Sequence, residues 1–360
     1  MVASDPASEQ LLVSVIVPAR DEQASLGACL QSLLAQEGAM FETIVVDDSS
    51  IDRTREIAES FSNVRVVDAD PLPSNWTGKN NAMAAGARQA RGQWLLFTDA
   101  DTVHKPGSLA RAVAEAEEHG AALLSYSPEQ EVHGFWEKAV MPVIFAELAR
   151  TYRPREVCNP KSPVAAANGQ YLLISREAYE AVGGHASISN NVLEDVALAR
   201  AVKASGRRLR FRYAADAVRT RMYRGLAQLR EGWTKNLATL FASPGRLALL
   251  RLAEFLLIIT GAAVALSAKS RPGLAITAAT LACILYLMFL KRIRRAQFDR
   301  QSNALAIFGL PLFSYLLLRS RIAYRNGNVV WKGRAYDPAK KQIAPQQVAL
   351  RMKKLKDQSA

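Results

Sequence analysis

Between residues 13 and 125, short runs of β-branched and apolar residues alternate with longer stretches whose apolar positions recur every three or four residues. The runs Val13–Val17, Thr43–Val46, Val64–Val67 and Trp94–Thr98 are each one strand long and read as buried β-strands. Between them, Leu26, Leu30, Leu33 and Leu34 share one stripe of a helix over Ala24–Ala35. Ile51, Thr54, Ile57, Ala58 and Phe61 line a second helix, and Asn80–Gln89 reads as a third. Strands separated by helical lengths predict parallel pairing through right-handed crossovers. Farther on, Tyr171–Ser175 reads as a strand, helices begin at Arg176 and run over Glu194–Ser205, and Arg208–Tyr213 is a basic strand. Gly206 is placed to end the helix before that strand.

The pattern changes after Ser243–Arg246. Leu247–Ala268 is apolar except for Arg251 and Glu254, and Gly273–Leu290 is 18 residues without a charge, which meets the threshold for a membrane span. The basic run Lys291–Arg295 follows at once and by the positive-inside rule lies in the cytoplasm. Ala304–Leu318 is shorter, contains Pro311 and ends in Arg-Ser-Arg, so it reads as an interfacial or re-entrant segment. The expected organisation is an α/β domain over 10–242, a membrane-associated helical region over 243–325 with spans at 247–268 and 273–290, and a basic cytoplasmic tail over 326–360. A buried helical pair in a soluble domain is the alternative. The amino terminus carries no basic-then-apolar signal pattern, so the first domain is expected on the cytoplasmic side of the inner membrane.

The formal net charge of +13 changes the list of partners to consider. Nucleic acid is the first class suggested by such a charge, but the chain lacks helix-turn-helix, zinc-finger and aromatic RNA-binding signatures. Its basic residues instead gather beside the apolar segments, as an anionic membrane surface favours. Three cysteines, Cys29, Cys158 and Cys283, have no paired or metal-site spacing, which fits a reduced compartment.

The candidate chemistry is acidic. Asp48, Asp99 and Asp101 come directly after strand-like runs, and in open α/β sheets ligands sit at the carboxyl ends of the strands. Carboxylates hold a diphosphate only through a divalent cation, so this edge implies a nucleotide-diphosphate ligand with a metal between. Asp99 and Asp101 can equally serve turn chemistry, and Asp47-Asp48 can cap the following helix. Glu194-Asp195 opens a helix, where acids suit the dipole, yet a carboxylate there can also accept a hydroxyl proton. Lys79 stands at a helix start, where a cation is disfavoured, so an anion such as a donor phosphate is expected beside it, with simple solvent exposure the alternative. His104 and His185 lie near the second and third clusters and read as structural or hydrogen-bonded, with contact to the metal the alternative for His104. Phe135, Trp136, Val140, Val143, Ile144 and Phe145 form an apolar patch around Pro142, suited to core packing or to a membrane-dipping surface.

At these residues the chain resembles family 2 glycosyltransferases, and within them the membrane-associated branch of ceramide, hopanoid and carotenoid enzymes. The runs VSVIVPARDE, VVDDSSIDRT, WTGK, TDAD and LED fall in the family's order across about residues 13–240. VVWKGRAY at Val329–Tyr336 resembles the end of its lipid-directed members. The resemblance implies a GT-A (Rossmann-like) nucleotide-sugar-binding domain followed by a C-terminal helical membrane region. It implies that Pro18, Ala19 and Glu22 form the first nucleotide-binding loop and that Asp48 contacts uracil or ribose. Asp99 and Asp101 match the metal-diphosphate motif for Mg²⁺ or Mn²⁺, with Asp101 expected as the direct ligand, and Asp195 of the Glu194-Asp195 pair matches the catalytic base; in the implied mechanism Lys79 is a second positive contact for the donor diphosphate. Many members carry Gln/Arg-x-x-Arg-Trp; here Trp233 keeps the aromatic, but Gly232 stands where Arg is expected, leaving Arg230 and Lys235 without a matched role. The implied reaction is single displacement with inversion, from a UDP-sugar to a hydroxyl of a lipid acceptor. Transfer to a polyprenyl phosphate, or a membrane scaffold that binds nucleotide-sugar without turnover, are the alternatives.

Overall fold

The computed structural model describes residues 12–332 and 334–336, so most of the basic tail expected over 326–360 lies outside the described residues. Four strands, β1 (Val13–Ala19), β2 (Phe41–Asp47), β3 (Val64–Asp68) and β4 (Trp94–Phe97), alternate with helices α1 (Leu26–Leu34), α2 (Thr54–Glu59) and α3 (Gly78–Gln89). β1 pairs parallel with both β2 and β4, and β2 pairs parallel with β3. The side chains of β1 alternate between two cores: Ile16 packs on one face of the sheet, Val15 and Val17 on the other.

After β4 come β5 (Thr102–His104), α4 (Ser108–Glu118), β6 (Ala121–Ser127), β7 (Glu129–Gln130), α5 (Phe135–Thr151) and α6 (Pro154–Cys158). Then β8 (Leu172–Ser175), α7 (Arg176–Ala181), a 3₁₀ turn (Gly184–Ile188), α8 (Glu194–Ala204), β9 (Arg208–Tyr213) and β10 (Val218–Thr220) complete the sheets of the domain. The main sheet has seven strands in the order β3-β2-β1-β4-β8-β6-β9. Within it, β8 runs antiparallel to both neighbours, β4 and β6, while β6 and β9 are parallel. The sheet is therefore mixed. Because β8 is reversed, the residues before it arrive at the same edge as the carboxyl ends of β1, β2 and β4. A small second sheet, β5-β10-β7, lies beside that edge.

The remaining elements are helical: α9 (Leu226–Leu240), α10 (Pro244–Ser267), α11 (Pro272–Ile293), a 3₁₀ turn (Arg294–Ala296) and α12 (Arg300–Arg325), followed by the hairpin β11 (Val329–Trp331) and β12 (Arg334–Tyr336). α10, α11 and α12 are each long and apolar enough to cross a membrane. The first two leave most of their apolar surface exposed, with Leu249, Leu266, Ile276 and Met288 among the outward residues. The segment read as Ala304–Leu318 is the middle of the 26-residue α12, which passes through Pro311 without breaking. Asp299 caps its start by accepting from the Ser302 N–H at 3.0 Å. Half of its apolar window is buried, against α5 and α9 of the first domain and against α10. Gly309 is required there, since a Cβ would lie 1.9 Å from the Ala139 carbonyl oxygen.

α5 divides the apolar patch in two. Val140, Val143 and Ile144 are buried in the third core with Phe313, Leu316 and Leu317 of α12. Phe135 and Trp136 stand outside, 46% and 43% exposed, and Phe135 lies near the equally exposed Phe308. Packing thus accounts for one half of the patch only.

Candidate active site

The loops after β1, β2 and β4 build the site. The first two are zipped together: Glu22 N–H donates to Thr54 Oγ1 at 2.7 Å, and Ile51 N–H donates to Asp21 Oδ1 at 2.9 Å. Asp47 accepts from the Ser50 N–H at 3.1 Å, and Asp52 from the Thr54 N–H at 2.9 Å. Those two acids shape the turn and the start of α2. Asp48 does neither, and its carboxylate faces the cavity, where the Arg334 guanidinium takes both oxygens, Nη2 to Oδ1 at 2.9 Å.

A cavity of about 300 Å³ opens at this edge. Pro18, Ala19, Glu22, Asp48, Lys79, Asp99, Asp101, Glu194, Asp195 and Trp233 all line it. Acids as distant in sequence as Glu22 and Asp195 are brought into one space. Lys79 joins two of the clusters. Its ammonium lies 2.7 Å from Asp99 Oδ1 and 2.6 Å from Glu194 Oε1, so the anions beside it are the protein's own. Burial alone would lower the Lys79 pKa, but those carboxylates outweigh it and hold the ammonium charged. Burial likewise pushes Glu194 up, yet Lys79 and then Lys235 bring it below the ordinary carboxylate value.

Asp101 and Asp195 go the other way. Burial, then Asp99 and Glu22, push Asp101 up to about 8, and its buried Oδ1 has no hydrogen-bond partner among the described residues. An orphaned carboxylate oxygen among like charges fits a cation-binding position. Asp99 and Asp101 are the residues that would hold the ion. Among the described residues no group of three or more His, Cys, Asp or Glu gathers around one point, so phosphate oxygens and water would complete the shell of a hard cation. Asp195 Oδ2 accepts from the Gly169 N–H at 2.9 Å and Oδ1 from the Val196 N–H at 2.7 Å. Burial and then Glu194 push its pKa up to about 7.

The histidines stand apart from this chemistry. His104 Nε2 lies 3.1 Å from Thr98 Oγ1 inside the core, and burial pushes its pKa down to about 3. His185 pairs through Nδ1 with the Tyr179 hydroxyl at 2.9 Å and is likewise pushed down to about 3, by burial and then Lys79. Neither lines the cavity. Trp233 is buried and donates from Nε1 to Met141 Sδ at 3.4 Å. Arg230 is exposed and away from the cavity, whereas Lys235 faces it with its ammonium 5.1 Å above the Trp331 ring. Gly232 has a physical reason: a Cβ there would lie 2.3 Å from Tyr223 Cε1. The Tyr223 ring fills the space from which an arginine would start.

Several lining residues are given no role by the sequence: Asn168 and Gly169 before the reversed strand β8, Tyr223, and Lys332 and Arg334 of the last hairpin, whose VVWKGRAY run signals only the resemblance. Phe145, Leu148, Met222 and Leu240 give the cavity an apolar wall toward the helical region.

Residues 14–183 match the model of glycosyl transferase family 2. The 4,4'-diaponeurosporenoate glycosyltransferase of Staphylococcus aureus (strain USA300) is 27% identical over 345 residues, covering 92% of this chain and 89% of its own length. The enzyme of the same name from strain MRSA252 is 28% identical over 344 residues, with the same coverage. Among solved structures, the mannosyltransferase PcManGT from Pyrobaculum calidifontis, in complex with GDP-Man and Mn²⁺, aligns with a TM-score of 0.54 at 18% identity, covering 88% of this chain and 87% of its own. The mixed seven-stranded sheet, the acid-lined edge and these likenesses agree: the fold is GT-A, residues 14–183 are similar to family 2 glycosyltransferases, and the chain as a whole resembles a carotenoid glycosyltransferase.

Proposed function

We propose that the protein is a membrane-anchored, metal-dependent, inverting glycosyltransferase that moves a hexose from a UDP-sugar to a hydroxyl of a lipid acceptor. The observation that carries this reading is the convergence of three acidic clusters on one cavity, with Lys79 bridging two of them.

Asp195 takes the acceptor's hydroxyl proton, and a carboxylate poised near neutrality suits that work. The Gly169 N–H fixes the orientation of the carboxylate. The freed oxygen attacks the anomeric carbon while the bond to the diphosphate breaks, and one displacement inverts the configuration. Bound Mg²⁺ or Mn²⁺ supplies positive charge against the diphosphate. Lys79 lies within reach of Asp99 and adds a second positive contact on that side.

The acceptor class follows from the apolar wall and its neighbours. Phe145 and Leu148 come from α5 and Leu240 from α9, the same helices that pack on α12. The exposed apolar faces of α10 and α11 supply the anchor, because such surfaces are covered by lipid or by protein. The carotenoid-acceptor name of the Staphylococcus aureus relative supports a lipid. The basic run Lys291–Arg295 supports a cytoplasmic catalytic face at the inner membrane.

The test is a donor screen on detergent-solubilised protein, following nucleotide release with Mn²⁺ or Mg²⁺, with and without bacterial lipid extract. Lipid-stimulated release from one UDP-sugar is the expected result. Binding of UDP and metal without release from any donor, across several lipid extracts, would overturn the reading in favour of a non-catalytic scaffold.

A further inference from the structure

The last described element of the chain reaches back into the first. Lys332 Nζ lies 2.6 Å from Glu22 Oε1 and 2.7 Å from the Arg20 carbonyl oxygen, across more than 300 residues of sequence. Arg334 holds both oxygens of Asp48. The guanidinium occupies the space beside Gly78, where a Cβ would collide with Nη1. Trp331 lines the cavity next to them, under Lys235. The hairpin β11–β12 therefore lies over the edge to which the nucleotide has been assigned.

We propose that this hairpin is a cationic strap of the donor site: Lys332 and Arg334 stand on Glu22 and Asp48 in the free protein and transfer to the diphosphate when the donor binds, an inference that rests on the reading of this cavity as a nucleotide-sugar site. Two observations support it. First, a nucleoside that contacts Asp48 competes with Arg334 for the same two oxygens, so binding must release the guanidinium. Second, the released groups remain among six carboxylates, Glu22, Asp48, Asp99, Asp101, Glu194 and Asp195, and Lys79 is already shared between two of these. A diphosphate entering that field needs cations. A planar guanidinium that has just left a carboxylate matches a phosphate in the same two-pronged way.

Two other roles make opposite predictions. If the ion pairs only pin the end of the chain, removing them changes stability and not the preference for phosphate. If the hairpin is only a plug, removing it tightens every nucleotide.

The experiment compares the full-length protein in detergent with Lys332→Ala, Arg334→Ala and Arg334→Lys. Calorimetry gives the Kd for UDP, and for GDP in parallel, with Mn²⁺; ligand-observed NMR gives the Kd for uridine. Each alanine variant should weaken UDP by roughly ten- to a hundred-fold, as loss of a charge-assisted contact does. Uridine, which makes no phosphate contact, should be unchanged in Lys332→Ala and unchanged or tighter in Arg334→Ala, where Asp48 is freed. Arg334→Lys should fall between and serves as the test if the alanine variant does not fold. Equal binding of UDP by wild type and variants overturns the strap, and so does tighter UDP binding by the variants. Wild type that binds neither diphosphate overturns the nucleotide-sugar reading itself, and the strap with it.

Discussion

Asp195→Asn is the substitution that bears most directly on the chemistry. The carboxylate accepts two backbone N–H groups, from Gly169 and Val196, yet burial and the neighbouring Glu194 push its pKa up to about 7. A base with that pKa is about one-eleventh ionised at pH 6, so kcat/KM should rise roughly tenfold between pH 6 and a plateau above pH 8. The amide cannot accept a proton, and the loss should be about 10²- to 10⁴-fold. Stability should move in the other direction. The folded-state pKa lies above the ordinary aspartate value, so the folded protein binds the extra proton between about pH 4 and 7, and stability falls as pH rises through that window. Asparagine removes this titration, so the variant should lose that pH dependence of melting, while its amide nitrogen gives up one of the two backbone N–H contacts at every pH. Nucleotide release from a UDP-sugar with lipid extract, followed from pH 5 to 9, reads the first effect, and thermal melting over the same range reads the second. A variant that keeps more than about a tenth of the activity sinks the general-base assignment. That result would favour an acceptor that is already an anion, such as a polyprenyl phosphate.

Asp101→Ala removes the carboxylate with the orphaned oxygen, and calorimetry should show the Mn²⁺-dependent part of UDP binding lost; UDP affinity that still responds to Mn²⁺ as in wild type would exclude Asp101 as a ligand. Glu147 is wholly buried and lies 3.0 Å from Arg251 and 3.3 Å from Arg292, which also pair with Glu254. Glu147→Ala leaves two largely buried cations short of a partner and should destabilise the protein by about 3–5 kcal/mol, so a melting temperature within about 2 °C of wild type would contradict it. Gly232→Arg restores the residue common in the family but drives a side chain into Tyr223, at a cost of about 1–3 kcal/mol. Adding Tyr223→Ala should recover part of that stability, and strictly additive melting shifts would show that the two residues do not collide.

The first half of the site is legible because its acids end strands. Ile-Val-Val before Asp47-Asp48 and Leu-Leu-Phe-Thr before Asp99 mark both the strand and the edge where it stops. What stays hidden depends on contacts remote in sequence. Nothing local announces that β8 runs backwards, so Gly169, which holds Asp195, has no place in a sequence-based site. α5 buries Val140, Met141, Pro142, Val143 and Ile144 together, and a helix covered on most sides has no polar stripe to betray its period. In α12, the flanking Arg319 and Arg321 make the apolar run look shorter than the helix that contains it. Lys79 at a helix start does signal a nearby anion. From the sequence that anion is expected in a ligand, whereas Asp99 and Glu194 provide it.

The contacts of α12 bear on how the site meets its acceptor. At its first turn Gln301 accepts from Lys138 Nζ at 2.8 Å, at the start of α5. At its last turns the Ser320 hydroxyl donates to the Thr234 carbonyl at 2.6 Å and the Tyr324 hydroxyl to the Lys235 carbonyl at 2.7 Å, both on α9. A helix tied at both ends to one domain cannot present those ends to opposite sides of a hydrocarbon layer about 30 Å thick unless that domain crosses too. The proposed function therefore takes the segment as interfacial, although α12 is long and apolar enough to cross a membrane. On that proposal the α10–α11 pair is the inserted element, and the buried charges Glu147, Arg251, Glu254 and Arg292 join its base to α5. Exposed Phe135, Trp136 and Phe308 suit the same interface, where aromatic rings settle at headgroup level. Since α5 and α9 also carry Phe145, Leu148 and Leu240 on the cavity wall, the proposed function predicts that an apolar acceptor enters from the membrane side, between these helices, to reach Asp195.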